Sequence, residues 1–323
     1  MSEQCERVLV TGGCGFVGSH LCEQLLDAGS AVVVLDNFAT STPDNVARLL
    51  DRPGFDLIQH DVTEPLPTVG YFDIVFHLAS AASPPDYLRL PIETLRAGSL
   101  GTANALDLAE RNRARFVLAS TSEVYGDPAV HPQTENYWGH VNPVGPRSVY
   151  DEAKRYAEAL TMAFRRERGV NTGIARIFNT YGPYMRADDG RMVPTFIAQA
   201  LSDAPFTIAG TGEQTRSLCY VEDTVRGLLA LASTDIPGPV NIGNPHEVSV
   251  RRLAEEIQWV TGSRSTVKYV DSAIDDPKRR CPDISLARRE LGWWPLVSRA
   301  EGLRRTIDWF ASRAAMPAEE SLR

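Results

Sequence analysis

The first 120 or so residues alternate short, apolar, β-branched runs with stretches of helical periodicity, and no other feature narrows the possible folds as much. "RVLVTG" is followed by an amphipathic stretch from Val17 to Ala28, then by "AVVVLD", "FDLIQHD", "FDIVFHLAS", a helical "GTANALDLAERN" and "RFVLAS". Runs this continuous suit strands covered by helices on both faces, so the expectation is an α/β protein with a doubly wound parallel sheet of Rossmann type. After "NTGIARIFN" the punctuation thickens, with Pro183, Gly190, Pro194, Pro205, Gly210 and Gly212, then Pro237-Gly238-Pro239 and Pro245. A smaller, more irregular C-terminal region follows from that. "CYVEDTVRGLLALAS" again reads as strand and helix, so the two parts interleave. Residues 1–175 are expected to form the Rossmann domain and 176–323 mainly the second region, with about 217–233 returning to the first.

Composition removes several classes of function. The 323 residues carry a net charge of -8 with no basic face, which argues against a nucleic-acid partner. Cys5, Cys14, Cys22, Cys219 and Cys281 are odd in number, scattered and free of any C-x-x-C pair, so neither a disulfide framework nor a metal site is expected. A reducing cytoplasm suits such a chain. "MSEQCER" runs directly into "VLVTGG", leaving no room for a leader, and no apolar run reaches membrane-spanning length. The tail "AAMPAEESLR" reads as disordered.

Gly12, Gly15 and Gly18 stand between an apolar strand and an amphipathic helix. Glycines there let the chain turn, let a pyrophosphate approach the backbone amides and let helix sit close to strand, while the helix N-terminus contributes partial positive charge. A glycine triplet alone is equally a tight turn. The second strand, however, ends in Asp36, at the distance where an acid accepts hydrogen bonds from the adenosine ribose. A carboxylate there repels a 2′-phosphate, so NAD is favoured over NADP; an ordinary turn acid is the alternative. Asp61 and Val62, after the next strand, suit an adenine contact or a plain turn.

In "SVYDEAKRYAEAL", Tyr150 and Lys154 are four apart and share one helix face. A phenol of pKa about 10 is a poor base at neutral pH, but an ammonium beside it and an oxidised nicotinamide both favour the phenolate. On an arbitrary helix the same pair is as readily a surface or packing feature. Behind a dinucleotide fingerprint it reads as proton transfer.

Together, Gly12-x-x-Gly15-x-x-Gly18, "HLAS" at His77 to Ser80, "STSEVYGDP" and Tyr150-x-x-x-Lys154 resemble the extended short-chain dehydrogenases/reductases that act on nucleotide sugars. Within that group, "ASPPDY", the long "STSEVYGDPAVHPQTENYWGHVNPVGPRSVYDEAKR", "ARIFNTYGP", "DGRMVPTFI" and "DDPKRRCPDI" are similar to the UDP-glucuronate decarboxylase family, from about Arg7 to Phe310. The resemblance implies bound NAD, a UDP-sugar substrate and a homodimer formed through the helices around Gly101 to Asn112 and Tyr150 to Arg166. It implies that Tyr150 takes the C4 hydroxyl proton while hydride leaves C4. Carbon dioxide is then lost from the 4-keto acid, C5 is protonated and C4 is reduced again.

The same resemblance distributes roles. Phe16, Val17, Asn37, Leu78 and Ala79 join the glycines, Asp36, Asp61, Val62, Tyr150 and Lys154 at the cofactor. Ser83, Pro85, Tyr87, Asn179, Arg191, Val193, Gln214, Arg216 and Arg280 fall to the substrate, with Arg216 suited to the diphosphate and Arg280 to the sugar carboxylate or the enolate. Lys278 and Arg279 read as solvated charges. Thr121 is expected to hydrogen-bond the C4 oxygen. Related 4,6-dehydratases have an aspartate where Ser122 stands; facing a substrate carboxylate about 4 Å away it would cost roughly 4 kcal/mol. Related 4-epimerases have a small residue where Glu123 stands, so Glu123 is expected to organise the C5 side of the sugar, its alternative being a helix cap. A 4-epimerase, a 4,6-dehydratase and, more remotely, a non-catalytic NAD sensor on the same fold are the competing functions. The chain departs from the family at Ser41, Thr42, Ala81, Gly98 and Cys281, and at Gly98 the family's asparagine hydrogen bond is missing or supplied otherwise.

Overall fold

The computed structural model describes residues 5–67, 70–271 and 279–314; Lys278 and nearly all of "AAMPAEESLR" lie outside the described residues. The apolar runs become β1 (Arg7–Thr11), β2 (Ala31–Asp36), β3 (Phe55–Gln59), β4 (Ile74–His77), β5 (Arg115–Thr121) and β6 (Thr172–Ile177). Between them lie α1 (Phe16–Asp27), α2 (Pro84–Arg89), α3 (Pro91–Arg96), α4 (Thr102–Asn112) and α5 (Ser148–Arg168). The later part adds β7 (Thr180–Tyr181), α6 (Met192–Leu201), β8 (Phe206–Ala209), β9 (Thr215–Ser217), β10 (Cys219–Tyr220), α7 (Val221–Ala232) and β11 (Val240–Ile242). It ends with β12 (Glu247–Ser249), α8 (Val250–Thr261), β13 (Val267–Val270), β14 (Arg279–Arg280), α9 (Ser285–Leu291) and α10 (Arg299–Ala314).

Seven strands form one parallel sheet in the order β11-β6-β5-β4-β1-β2-β3. It is covered on both faces: Val8 and Val10 join the apolar cluster with Leu21 and Val225, whereas Leu9, between them, joins the cluster with Leu106, Phe116 and Phe164. That is the doubly wound α/β arrangement the alternation predicts. α7 packs against α1, β5 and β6 on the main sheet. So does a strand the sequence reading passed over, since β11, only three residues between the glycines and prolines of "PGPVNIGNP", pairs in parallel with β6 as the sheet's edge. Too short and too punctuated to show a period, it owes its strand conformation to its neighbour.

The C-terminal ends of the strands share one edge, because Thr11 is level with Leu35 and His77, and Thr121 with Ile177. Small sheets of the C-terminal part stand over this edge: β12-β9-β14, β13-β8 and β10-β7. Gln133, fully buried in the long loop after β5, fixes β14 to it. Its N–H donates to the Cys281 carbonyl, and its side-chain oxygen accepts from the Cys281 N–H, both at 2.8 Å.

α3 and α4 run on through a π-helical turn, Ala97–Gly101. At Gly98 a Cβ would meet the Ala153 Cβ at 2.7 Å and the Ala153 carbonyl oxygen at 2.9 Å. The departure at Gly98 is thus a close approach of two helices one residue before Lys154, and an asparagine has no room in it. Gly98→Asn is expected to cost about 1–3 kcal/mol of stability through overpacking, read as a lowered denaturant midpoint. A wild-type midpoint would show that the helices tolerate separation.

Candidate active site

A cavity of about 890 Å³ opens on the strand-end edge. Its first wall is the turn from β1 into α1. Gly12 has φ +72°, and a Cβ there would lie 2.8 Å from the Ala79 N. At Gly18 a Cβ would lie 2.3 Å from the Gly12 carbonyl oxygen, so the loop and the start of α1 close up only with glycine. Phe16 and Val17 begin the helix beside Gly15 and face the same cavity, as do Leu78 and Ala79 after β4. This narrow, amide-lined cradle at a helix N-terminus fits the diphosphate of a dinucleotide.

Asp36 ends β2 on the cavity wall. One carboxylate oxygen accepts from the Cys14 N–H at 3.0 Å, the other from the Phe38 N–H at 2.9 Å and the Ser41 hydroxyl at 2.7 Å. The departure at Ser41 therefore orients Asp36, while Thr42 caps the short helix Pro43–Leu49. Asn37 donates to Asp61 at 2.9 Å, and Asp61 also accepts from the Thr63 N–H, so this acid is turn-bound as well as cavity-lining. Val62 lines the cavity beside it.

At the far end, β5 carries Thr121 out of the buried core into a single helical turn, Ser122–Tyr125. The Thr121 hydroxyl accepts from the Glu123 N–H, so Thr121, not Glu123, is the cap. Glu123 lies between two guanidinium groups: Arg147 Nη2 donates to Oε2 at 2.9 Å, and Arg280 Nη1 donates to Oε1. Burial would raise its carboxyl, but Arg280 first and Arg147 next hold it down at about 2. Glu123 is thus an anion here, not a resting proton donor. Ser122 is buried beside it.

Tyr150 is buried, and its ring stacks on Tyr87 with centroids 5.4 Å apart. Burial raises the phenol strongly, against a hydrogen bond with Thr121 that lowers it. Lys154 was expected to ease this. Its ammonium instead donates to the Ala119 carbonyl at 2.9 Å and stands 5.9 Å from the ring centre, and burial brings it down to about 8. The phenol in this state is neutral. His77, buried and lowered by burial to about 3, is also neutral, held between Thr11 and Thr102.

Ser83, Tyr87, Asn179, Val193, Gln214 and Arg216 all line the cavity. Ser83 caps α2, Asn179 follows β6, and Arg216 lies on β9 level with Arg280 on β14. Arg191 lines it too, with its guanidinium on the Asp189 carboxylate, Nη2 to Oδ2 at 2.8 Å. Pro85 is exposed and packs toward Gly190, itself on the cavity wall, while Pro84 lines the cavity directly. Arg147 was missed altogether. Its signal was available, one helical turn before Tyr150 in "PRSVY" and so on the same side. Among the described residues no group of three His, Cys, Asp or Glu side chains could hold a metal ion.

The parallel sheet, glycine cradle and tyrosine-lysine pair define a dinucleotide-binding oxidoreductase-type site. More particularly, residues 8–243 match the NAD dependent epimerase/dehydratase family, and the chain belongs to it. It is 51% identical over 307 residues to "UDP-glucuronic acid decarboxylase 1" of Xenopus tropicalis, covering 94% of this chain and 72% of that one. To "UDP-glucuronic acid decarboxylase 6" of Arabidopsis thaliana it is 50% identical over 312 residues, 96% of this chain and 90% of the relative. Among solved structures, the UDP-glucuronic acid 4-epimerase of Bacillus cereus, in complex with UDP-glucuronic acid and NAD, superposes with a TM-score of 0.83 at 29% identity. That match covers 95% of this chain and 99% of the other.

The Glu123 cluster has a pH signature. A carboxyl lowered from 4.5 to about 2 stabilises the fold above pH 4.5, and that contribution is lost as pH falls through about 2. Glu123→Gln is therefore expected to be less stable than wild type at neutral pH, the gap closing between pH 4.5 and about 2. Acid-unfolding curves check this; a gap independent of pH would dismiss the ion pairs as the cause.

Proposed function

We propose that this chain is a UDP-glucuronate decarboxylase, converting UDP-glucuronate to UDP-xylose with NAD. The observation that carries the reading is the charged pair of Glu123 and Arg280 at the sugar end, beside Thr121 and Tyr150 and next to a serine, not an acid. The relatives at about 50% identity bear the same activity in their names. NAD, when bound along the Gly12, Gly15, Gly18 and Asp36 wall, supplies the hydride acceptor for C4 and returns the hydride at the end, so the net reaction is a lyase reaction.

The chain's own groups do the rest. Tyr150 takes the C4 hydroxyl proton, Thr121 hydrogen-bonds the same oxygen, and Lys154, one turn along the same helix face, adds positive charge nearby. With C4 a ketone, the C5 carboxylate is that of a β-keto acid and leaves as carbon dioxide. The electron pair moves onto the C4 oxygen, where the Thr121 hydroxyl and the neighbouring arginines favour it. Glu123, ionised, orients Arg280 and a water that returns the proton to C5. Asn179, Arg191, Gln214 and Arg216 hold the UDP, with Ser83, Tyr87 and Val193 about the sugar. We assign NAD binding to residues 1–175 with about 217–233, and the UDP-sugar mainly to the remainder.

Helices α3 to α5 support a homodimer, because Ile92, Leu95 and Leu100 on one side and Tyr156 on α5 are exposed apolar groups on adjoining helices. All five cysteines are free, which suits a cytoplasmic enzyme; no described helix is long and apolar enough to cross a membrane. Leu95→Glu together with Leu100→Glu is expected to shift the sedimenting species from dimer to monomer, and an unchanged dimer would move the interface elsewhere.

Purified chain given UDP-glucuronate and NAD is expected to release carbon dioxide and UDP-xylose. Intact, NAD-loaded protein that releases none would sink the decarboxylase reading. Glu123→Gln is expected to lower turnover by on the order of a hundredfold or more while keeping UDP affinity.

A further inference from the structure

Tyr150, Lys154 and Glu158 follow one another at intervals of four along α5, so the helix face that carries the phenol and the ammonium runs on one further turn, to a carboxylate with no part in the steps above. All three meet the end of β5. The Tyr150 phenol hydrogen-bonds Thr121, and the Lys154 ammonium donates to the Ala119 carbonyl at 2.9 Å. Ser120, between those two residues, donates its hydroxyl proton to Glu158 Oε1 at 2.6 Å. From the next strand Arg176, level with Ser120, closes a fork on the same carboxylate, Nε to Oε1 at 2.9 Å and Nη2 to Oε2 at 2.7 Å. The two side chains of this pair are only 12% and 13% exposed.

Glu158 is held by strand and helix at once. Arg176 is itself anchored beyond the fork, since its Nη1 donates to the Tyr125 hydroxyl at 3.0 Å and to the Glu135 carbonyl at 3.1 Å. Lys154, by contrast, hydrogen-bonds a neutral carbonyl, and the titratable groups beside it, Tyr150 on its own helix and His77 on β4, are neutral. Glu158 is the acid whose charge acts on the ammonium, against the burial that brings it down to about 8. With the ammonium that near to losing its proton, a fixed charge one turn away decides whether Lys154 is a cation while the phenol reacts. Arg176 works the other way, because a cation on Glu158 cancels part of the field that reaches Lys154.

We infer that Glu158 is a positioning residue for proton transfer: one turn beyond Lys154, it keeps the lysine cationic at the Ala119 carbonyl beside Tyr150, and Arg176 sets how much of its charge the lysine feels. The inference rests on Tyr150 as the proton-transfer group. It separates two substitutions that break the same ion pair. Glu158→Gln removes the anion, whereas Arg176→Gln uncovers it, so the two displace the Lys154 equilibrium in opposite directions. A pair that merely braced α5 against β6 would displace it the same way in both.

The chain has three lysines, Lys154, Lys268 and Lys278, so isotopic labelling of lysine Cε gives three NMR signals, and Lys154→Arg assigns the first. Titrated in the NAD-loaded chain, the Lys154 midpoint is expected to fall in Glu158→Gln and to rise in Arg176→Gln, each by on the order of one pH unit, and to stay near wild type in Glu158→Asp, which keeps the charge. The pH limb of kcat on UDP-glucuronate should move with the midpoint, KM staying within a few-fold. Midpoints that shift together or not at all, or a kcat profile that does not follow them, would overturn the inference and leave the pair as a brace. If Arg176→Gln does not fold, the two Glu158 variants decide, and equal midpoints in them overturn it. Opposite shifts in a chain that releases no carbon dioxide would overturn the decarboxylase reading and keep the role of Glu158.

Discussion

A carboxylate at the end of a central strand, away from bulk water, is tolerated only with cations against it, since an unpaired buried charge costs several kcal/mol or takes up a proton. Glu123 meets that demand from two distant parts of the chain. Arg147 reaches it from the loop that leads into α5, the helix carrying Tyr150 and Lys154, and Arg280 from β14, more than 150 residues away. The ion pairs thereby tie the sheet edge, helix α5 and the C-terminal part to one point. Gln133 carries the same linkage on through the backbone of Cys281, and Asn241 on β11 donates to the carbonyls of Gln133 and Asp283. Cys281, where the chain departs from the family, enters this scheme through its backbone.

The sheet was legible because its period is written in local residues: Val8 and Val10 face one apolar cluster and Leu9 the other, and no distant contact is needed to see that the run must be covered twice. The glycine cradle and Asp36 were legible for a similar reason, since chain turn, helix start and acid fall within about thirty residues. What stayed hidden depends on partners far along the chain. β11 is a strand only because β6 is beside it, Pro85 packs toward the distant Gly190, and Arg147 reads as a loop arginine until Glu123 is set opposite. Arg280 was found by family resemblance, and nothing local separates it from Arg279 or Lys278.

Spacing also foretold the tyrosine-lysine pair but not its electrostatics. A shared helix face says that two groups are near; it does not say which has been desolvated more. Here burial is the leading influence on both, raising the phenol and lowering the ammonium toward neutral forms. The backbone carbonyl of Ala119 takes the ammonium's hydrogen bond, leaving Thr121 as the residue whose hydrogen bond favours the phenolate. The threonine therefore serves twice, once as the cap that sets the turn bearing Glu123 and once as a hydrogen-bond partner of Tyr150.

That double use explains why the polar cluster sits where it does. A strand buried along its whole length needs an exit for its last polar groups, and the Thr121 cap supplies one by turning the chain immediately into a short helix. The turn places Ser122 and Glu123 at successive positions beside a phenol, so one site faces a neutral hydroxyl while the next carries an anion held by two cations. An acid in place of Ser122 would bring a second negative charge beside the first. The serine thus follows from the way Glu123 is neutralised as much as from the charge of the ligand, and both point to a cavity arranged for a sugar that carries its own carboxylate.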